Sequence, residues 1–255
     1  MTADRTVDVV IPVYNRVKLI SRAIASVLGQ THADLRLIIV DDGSTDGTIE
    51  IVRQFSDDRV LLIEQAHGGV SRARNTGAAA GTSRHLIFLD SDDEADPRWL
   101  ETLLDNSDEA AIVSCAARVI RPGEPERRLA AGRLGPDFHH ISGHFLPGCF
   151  LVRRDVFERA GGYASQLSFG ENTELALRLA DATVELGLTT TTIDDPLLII
   201  HQQAGGVSQA AAPEKLYSSS TYLLDHHYAR ISLNRDHLAS CHAVAGVNAV
   251  RLGRN

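Results

Sequence analysis

Through residue 104 the chain alternates between short apolar runs and amphipathic segments, and each change of period falls at a polar turn. Residues 7–13, VDVVIPV, read as a buried strand, and residues 21–29, SRAIASVLG, follow with apolar side chains at helical spacing and Gly as a stop. LRLIIV at 35–40 repeats the strand, DDGSTDG makes the turn, and a helix is expected over 48–55. The same reading predicts strands at 59–64 and 86–89 and helices at 71–80 and 97–104. Strands alternating with helices build a parallel sheet with helices on both faces, because each parallel pair needs a crossover. The expected class is α/β with a Rossmann-like, mostly parallel sheet. Ligands of such sheets sit at the carboxyl ends of the strands. Both DDGSTDG and DSDDE stand at such ends.

Beyond residue 104 a strand is expected at 110–118, and the polar stretch at 121–138 reads as a surface excursion. A strand and helix at 148–162, a helix at 169–187 and a strand leading into a Gly/Gln loop at 189–206 follow. From about residue 213 the apolar spacing predicts a helical C-terminal tail of two helices.

With 255 residues and 44% hydrophobic composition the chain can bury a core of its own. A formal net charge of −8 argues against nucleic acid as a partner, since phosphate neutralisation needs a basic excess. Cys115, Cys149 and Cys241 are odd in number and never in a CxxC pair, which fits a reducing compartment. The N-terminus shows no signal-peptide pattern, and no apolar stretch approaches the roughly 18 residues of a membrane span. The expectation is a cytoplasmic protein without a transmembrane segment, soluble or peripheral to a membrane.

The sharpest chemical signal is HLIFLDSDDEADP at 85–97, where an apolar strand ends in Asp90, Asp92, Asp93, Glu94 and Asp96. So much like charge must be solvated or neutralised. DDGSTDG is open between two readings, an Asx-turn with a helix N-cap and a ligand-binding turn. Arg74 and Asn75 near a helix start suit phosphate oxygens, and Gly68 and Gly69 allow close backbone approach. Tyr14 can stack on a pyrimidine, and a carboxylate can accept the imide N–H of uracil or thymine.

Three blocks in order, residues 7–48, HGGVSRARNTGAAAG at 67–81 and LIFLDSDDEADP at 86–97, together resemble the N-terminal half of a family-2 glycosyltransferase of the inverting GT-A type. The likeness extends over about residues 7–104 and more loosely over 147–201. It implies a nucleotide-sugar-binding half over 1–104, an acceptor-binding half over 105–205 and a tail over 206–255. It further implies that Pro12 and Tyr14 frame the base pocket, that Asp41 and Asp42 contact base and ribose, and that Arg74, Asn75, Asp90, Ser91 and Asp92 complete the donor site. Asp92, Asp93 and His201 are then the expected metal ligands, for Mn²⁺ or Mg²⁺, hard cations that take oxygen donors and leave room for a diphosphate. Glu94 and Asp96 are expected to cap the helix at Pro97, and Trp99 to pack.

The family places a general base in a Glu-Asp pair that opens a helix, and the matching stretch here is FGENTELALRL. Glu171 matches, but Asn172 stands where the Asp would be and cannot take a proton. Glu171 is the expected base with Asn172 orienting the acceptor; Glu174, three residues on, is the other candidate, and a transfer needing no protein base is a further reading. His139, His140 and His144 lie in a stretch that could border the acceptor site. The function expected is metal-dependent, inverting transfer from a nucleotide-sugar donor, UDP- or dTDP-linked, to a glycan, lipid-linked or small-molecule acceptor. A catalytically impaired nucleotide-sugar-binding or scaffolding protein is the alternative motivated by Asn172. A sugar-phosphate nucleotidylyltransferase fits less well, since IPVYNRV stands where that family carries a Gly-rich basic loop. The tail helices suit either an acceptor-pocket wall or a homodimer contact.

Overall fold

In the computed structural model, which describes residues 5–202 and 212–254, the predicted alternation becomes a run of eleven strands and eight helices among the described residues. The first half comprises β1 (Val7–Val13), α1 (Ile20–Leu28), β2 (Leu35–Asp41), α2 (Thr48–Val52), β3 (Val60–Glu64), α3 (Val70–Ala80), β4 (His85–Phe88), β5 (Glu94–Ala95) and α4 (Trp99–Asp105). The remainder comprises β6 (Ala110–Ile120), β7 (Arg127–Leu129), β8 (Gly132–Arg133), a 3₁₀ turn at Pro136–Phe138, β9 (Ser142–Gly143), β10 (Phe150–Arg153), α5 (Arg154–Arg159), α6 (Glu171–Glu185) and β11 (Thr189–His201). The tail is α7 (Pro213–Ile231) and α8 (Arg235–Arg251). The Gly/Gln loop expected after His201 and the first residues of the expected tail region lie, from residue 203 to 211, outside the described residues.

The main sheet runs β3-β2-β1-β4-β10-β6-β11-β5, with β7 paired to β6. Strands β3, β2, β1 and β4 are mutually parallel, as are β6 and β11. The antiparallel members are β10, inserted between β4 and β6, and the edge strands β5 and β7. The order reverses between β1 and β4, a switch point that opens a crevice at their carboxyl ends. Two expectations change in detail. Glu94 lies in β5 against β11 instead of capping α4, and the excursion at 121–138 contributes β7, β8 and the 3₁₀ turn.

Alternate side chains of each central strand enter opposite layers, as the pleat demands. Val9, Ile11, Leu37, Ile39, Ile87 and Leu89 pack under α1 and α4, where the Trp99 indole is fully buried and donates to the Gly148 carbonyl at 2.8 Å. Val10, Ile38, Val40, Leu86 and Phe88 pack under α3, α5 and α6. Gly77 lets α3 lie close on the sheet: a side chain there would collide with Val10. Asp8, wholly buried in β1, is met by Arg154 Nη2 at 2.6 Å and by the Ser83 amide and hydroxyl, so its charge is neutralised inside the protein. A third, smaller apolar cluster of Leu177, Leu223, Ile231 and Cys241 joins the tail to α6. No helix among the described residues is long and apolar enough to cross a membrane.

Candidate functional site

The crevice at the switch point is a cleft of about 650 Å³ lined by Pro12, Tyr14, Asp42, Arg74, Asp90, Ser91, Asp92 and Glu171 among the residues singled out in the sequence. Arg16, His67, Gly69, Ser168 and Lys215 line it as well. Gly69 is legible in the sequence as a place of close backbone approach; the other four carry no readable signal of their own, since they reach the cleft through tertiary contact.

The turn after β2 is organised by its own carboxylates. Asp41 Oδ2 accepts the amides of Gly43 and Ser44 at 3.1 and 2.9 Å, an Asx-type closure. Its other oxygen, in a side chain only 1% exposed, has no hydrogen-bond partner among the described residues. Asp42, 3% exposed, accepts from Gln65 Nε2 at 2.6 Å, from the Gly68 amide at 2.9 Å and from the Gly69 amide at 2.7 Å, and pairs with His67 Nδ1 at 2.9 Å. Asp42 therefore fastens the loop that opens α3. Asp46 accepts from the Val17 and Thr48 amides, and the Asn15 side chain accepts from the Thr45 amide, which ties this turn to the loop after β1. Tyr14, 41% exposed, meets the His67 ring at a centroid distance of 4.2 Å and forms one wall of the cleft.

The turn after β4 is built differently. Asp90 is bound by Arg74 Nη2 at 2.8 Å, but no hydrogen bond from another described residue reaches the Asp92 carboxylate. Arg22 donates to the Asp92 backbone carbonyl instead. Burial, and then the charge of Asp90, hold the Asp92 carboxyl above the ordinary carboxylate range. Asp93 is pushed up to about 8 by burial and by repulsion from Asp90 and Asp92, against the one amide of His201 that its carboxylate accepts at 3.1 Å. This turn holds carboxylates that accept few hydrogen bonds from the protein, and the nearby charges of Arg16 and Arg22 only partly offset their burial and mutual repulsion.

Asp92, Asp93 and His201 do not converge into one metal shell. The His201 ring points to Glu94, with Nε2 3.1 Å from Oε2, and among the described residues no three His, Cys, Asp or Glu side chains are grouped to hold a metal. Asp92 still offers a hard carboxylate in the cleft, with no hydrogen bond from another described residue, and it also lines a neighbouring hollow of about 440 Å³ with Arg16 and Lys18. Mg²⁺ and Mn²⁺ are held through one or two carboxylates, with water or ligand oxygens completing the shell, so the residues present fit such an ion.

Arg74 is 2% exposed and bridges Asp90 to Glu171, whose Oε1 lies 3.2 Å from its Nη1, while its guanidinium lies 4.9 Å from the Tyr163 ring centroid. Burial opposes its charge, but Asp90, Tyr163 and Glu171 raise its pKa on balance. The expected phosphate cation is thus engaged with two carboxylates. Asn75 turns away from the cleft and clasps the Tyr163 backbone, donating to its carbonyl and accepting from its amide at 2.8 Å each. Glu171 opens α6 at the cleft edge; Asn172 does not line the cleft, and its Oδ1 is buried without a partner among the described residues. Glu174 is no candidate base. It is 1% exposed, bound by Arg178 and by His227 Nε2 at 2.9 Å, and these partners overcome burial to hold its pKa below the ordinary value. His139 pairs with Asp181 at 3.0 Å on the tail side of α6; His140 and His144 do not line the cleft either.

The architecture is that of GT-A proteins. Superposition on the crystal structure of Staphylococcus aureus TarS 1-349 in complex with UDP-GlcNAc gives a TM-score of 0.72 over 97% of this chain and 75% of that one, at 16% identity. Among curated proteins, the pre-mycofactocin glycosyltransferase of Mycobacterium tuberculosis is 32% identical over 71% of this chain and 40% of its own length. The glycosyltransferase EpsJ of Bacillus subtilis is 35% identical over 60% of this chain and 49% of its own. GlyA of Streptococcus pneumoniae is 39% identical over 40% of this chain and 15% of its own. The chain therefore spans less than half the length of each of these relatives. The profile of Glycosyl transferase family 2 matches residues 8–161, more than half of the sequence, and the chain belongs to that family.

Proposed function

We propose that the protein is an inverting glycosyltransferase that takes its sugar from a UDP- or dTDP-linked donor with the help of a divalent cation. The observation that carries the reading is Asp92, a carboxylate that accepts no hydrogen bond from another described residue, raised in pKa, in the cleft at the switch point of a family-2 chain. Tyr14 supplies an exposed ring for a pyrimidine, while Asp41, buried and outside the cleft's lining, holds the turn after β2 through the Gly43 and Ser44 amides. When bound, Mn²⁺ or Mg²⁺ supplies charge for the departing diphosphate. Glu171 stands where a base could take the acceptor hydroxyl's proton, with Arg74 fixing its carboxylate relative to Asp90.

The test is calorimetric titration of the full chain with UDP, dTDP and GDP, each with and without Mn²⁺. Cation-dependent binding of one pyrimidine nucleotide is expected; no binding by any of the three would overturn the reading. The ion pair between Glu171 and Arg74, with Asn172 in place of an acid, supports a second reading in which the donor binds and turnover is impaired. Glu171→Gln separates the two. A fall of about 10²–10⁴ in kcat at unchanged donor affinity is expected of a working base, whereas the impaired protein has no acceptor-dependent nucleotide release to lose.

A further inference from the structure

Among the described residues, four basic side chains line the cleft, and three are engaged. Arg74 is bound to Asp90 and Glu171, His67 to Asp42, and Arg16 donates to the carbonyls of Tyr14 and Asn15. The fourth, Lys215, has no side-chain partner among the described residues. Its position follows from the seating of α7.

Lys215, Ser219 and Leu223 recur every fourth residue and so share one face of that helix, and His227 follows at a kink in it. The Ser219 hydroxyl occupies the space a side chain at Gly170 would need, and Gly170, at φ +75°, immediately precedes Glu171. Leu223 joins Leu177 of α6 in the third apolar cluster, and the His227 ring reaches Glu174. Arg230 of α7 adds an ion pair to Asp181 and a hydrogen bond to the Leu177 carbonyl. The tail is thereby fastened along α6, and the stripe ends with Lys215 in the cleft that Ser168 and Glu171 also line.

We infer that Lys215, contributed by the C-terminal helix pair, is the cation that binds the donor's diphosphate and stabilises it as it leaves. The inference rests on the donor reading above and assigns a residue that reading does not contain. In the transfer, the bond between the anomeric carbon and the β-phosphate oxygen breaks as the acceptor oxygen bonds to that carbon. The electron pair stays with the diphosphate, and the acceptor proton goes to the base. The charge gained by the diphosphate is the charge Lys215 meets, a preorganised interaction that strengthens as the bond breaks.

Calorimetric titration with UDP, UMP and uridine in Mn²⁺, with the thymidine series in parallel, tests the assignment on wild type, Lys215→Ala, Lys215→Arg and Ser219→Leu. Lys215→Ala should weaken the nucleoside diphosphate about tenfold or more, the loss of one charge-assisted contact. It should weaken the monophosphate less and leave the nucleoside unchanged, and Lys215→Arg should restore most of the affinity. Ser219→Leu, which wedges α7 from Gly170, should weaken the diphosphate in the wild-type background and add nothing to Lys215→Ala. Unchanged diphosphate affinity in Lys215→Ala overturns the assignment and leaves the donor reading standing. Equal loss of nucleoside and diphosphate also overturns it, since the tail would then shape the base pocket. A wild type that binds none of the ligands removes the donor reading itself.

Discussion

DDGSTDG and DSDDE are alike in sequence, each an acidic run at the end of an apolar strand, yet the protein treats them in opposite ways. In the first, Asp41, Asp42 and Asp46 between them accept backbone amides of Gly43, Ser44, Gly68, Gly69, Val17 and Thr48. Their charge is neutralised by the loops they organise. In the second, Asp92 and Asp93 sit beside Asp90 with pKa values raised by burial and mutual repulsion, and the direct contacts that offset the cluster are the His201 amide and the Arg74 pair. A carboxylate that satisfies amides is part of the scaffold. One that the scaffold leaves uncompensated is available to a cation.

Breaking the second turn should have the largest functional effect. Asp92→Ala is expected to lower kcat/KM by about 10³, several kcal/mol of lost charge stabilisation, with little change in unfolding midpoint; a wild-type rate would erase the distinction. Next in size is a carboxylate neutralised as the first turn's are. Glu174 has a folded pKa below its ordinary 4.5, so its contribution to stability is present above pH 4.5 and is lost as pH falls through the lower folded value. Glu174→Gln should cost about 3 kcal/mol at neutral pH by breaking a buried pair. It should also flatten that acid limb, which denaturant unfolding across the pH range would reveal.

Asp42→Ala, read by the same unfolding assay, should cost about 2 kcal/mol by leaving the Gly68 and Gly69 amides and Gln65 without their acceptor. If it instead left stability intact and abolished only nucleotide binding, Asp42 would belong with Asp92. The smallest effect has the opposite sign. Asp93→Asn keeps an oxygen for the His201 amide and removes one of the crowded charges, so the metal-free protein should gain about 1 kcal/mol at pH 8.

Much of the frame behind this contrast is legible in the amino-acid sequence. The period of the apolar runs locates β1 to β4 and their helices because buried parallel strands write themselves as continuous apolar stretches. The tail helices are legible for the corresponding reason at helical period. The antiparallel insertion of β10 is not, since a fully buried strand reads the same in either direction. The Asx-turn reading of DDGSTDG and the metal reading of DSDDE are both available from sequence, but the amides that face each turn are not. Asp42 depends on Gly68 and Gly69, more than twenty residues away along the chain. Arg74 looks like a phosphate ligand for the same reason: nothing local reports that Asp90 and Glu171 already hold it. Lys215 reaches the cleft through the packing of α7 on Gly170, a contact no sequence pattern encodes.

The central claim, that the turn after β4 and not the turn after β2 receives a cation with the nucleotide, is tested most directly by following the electron paramagnetic resonance of free Mn²⁺ while protein and UDP are added. The account predicts that the free-ion signal falls with wild type and UDP together, falls in the same way with stably folded Asp46→Asn, and does not fall with Asp92→Ala. Retention of Mn²⁺ binding by Asp92→Ala would contradict it.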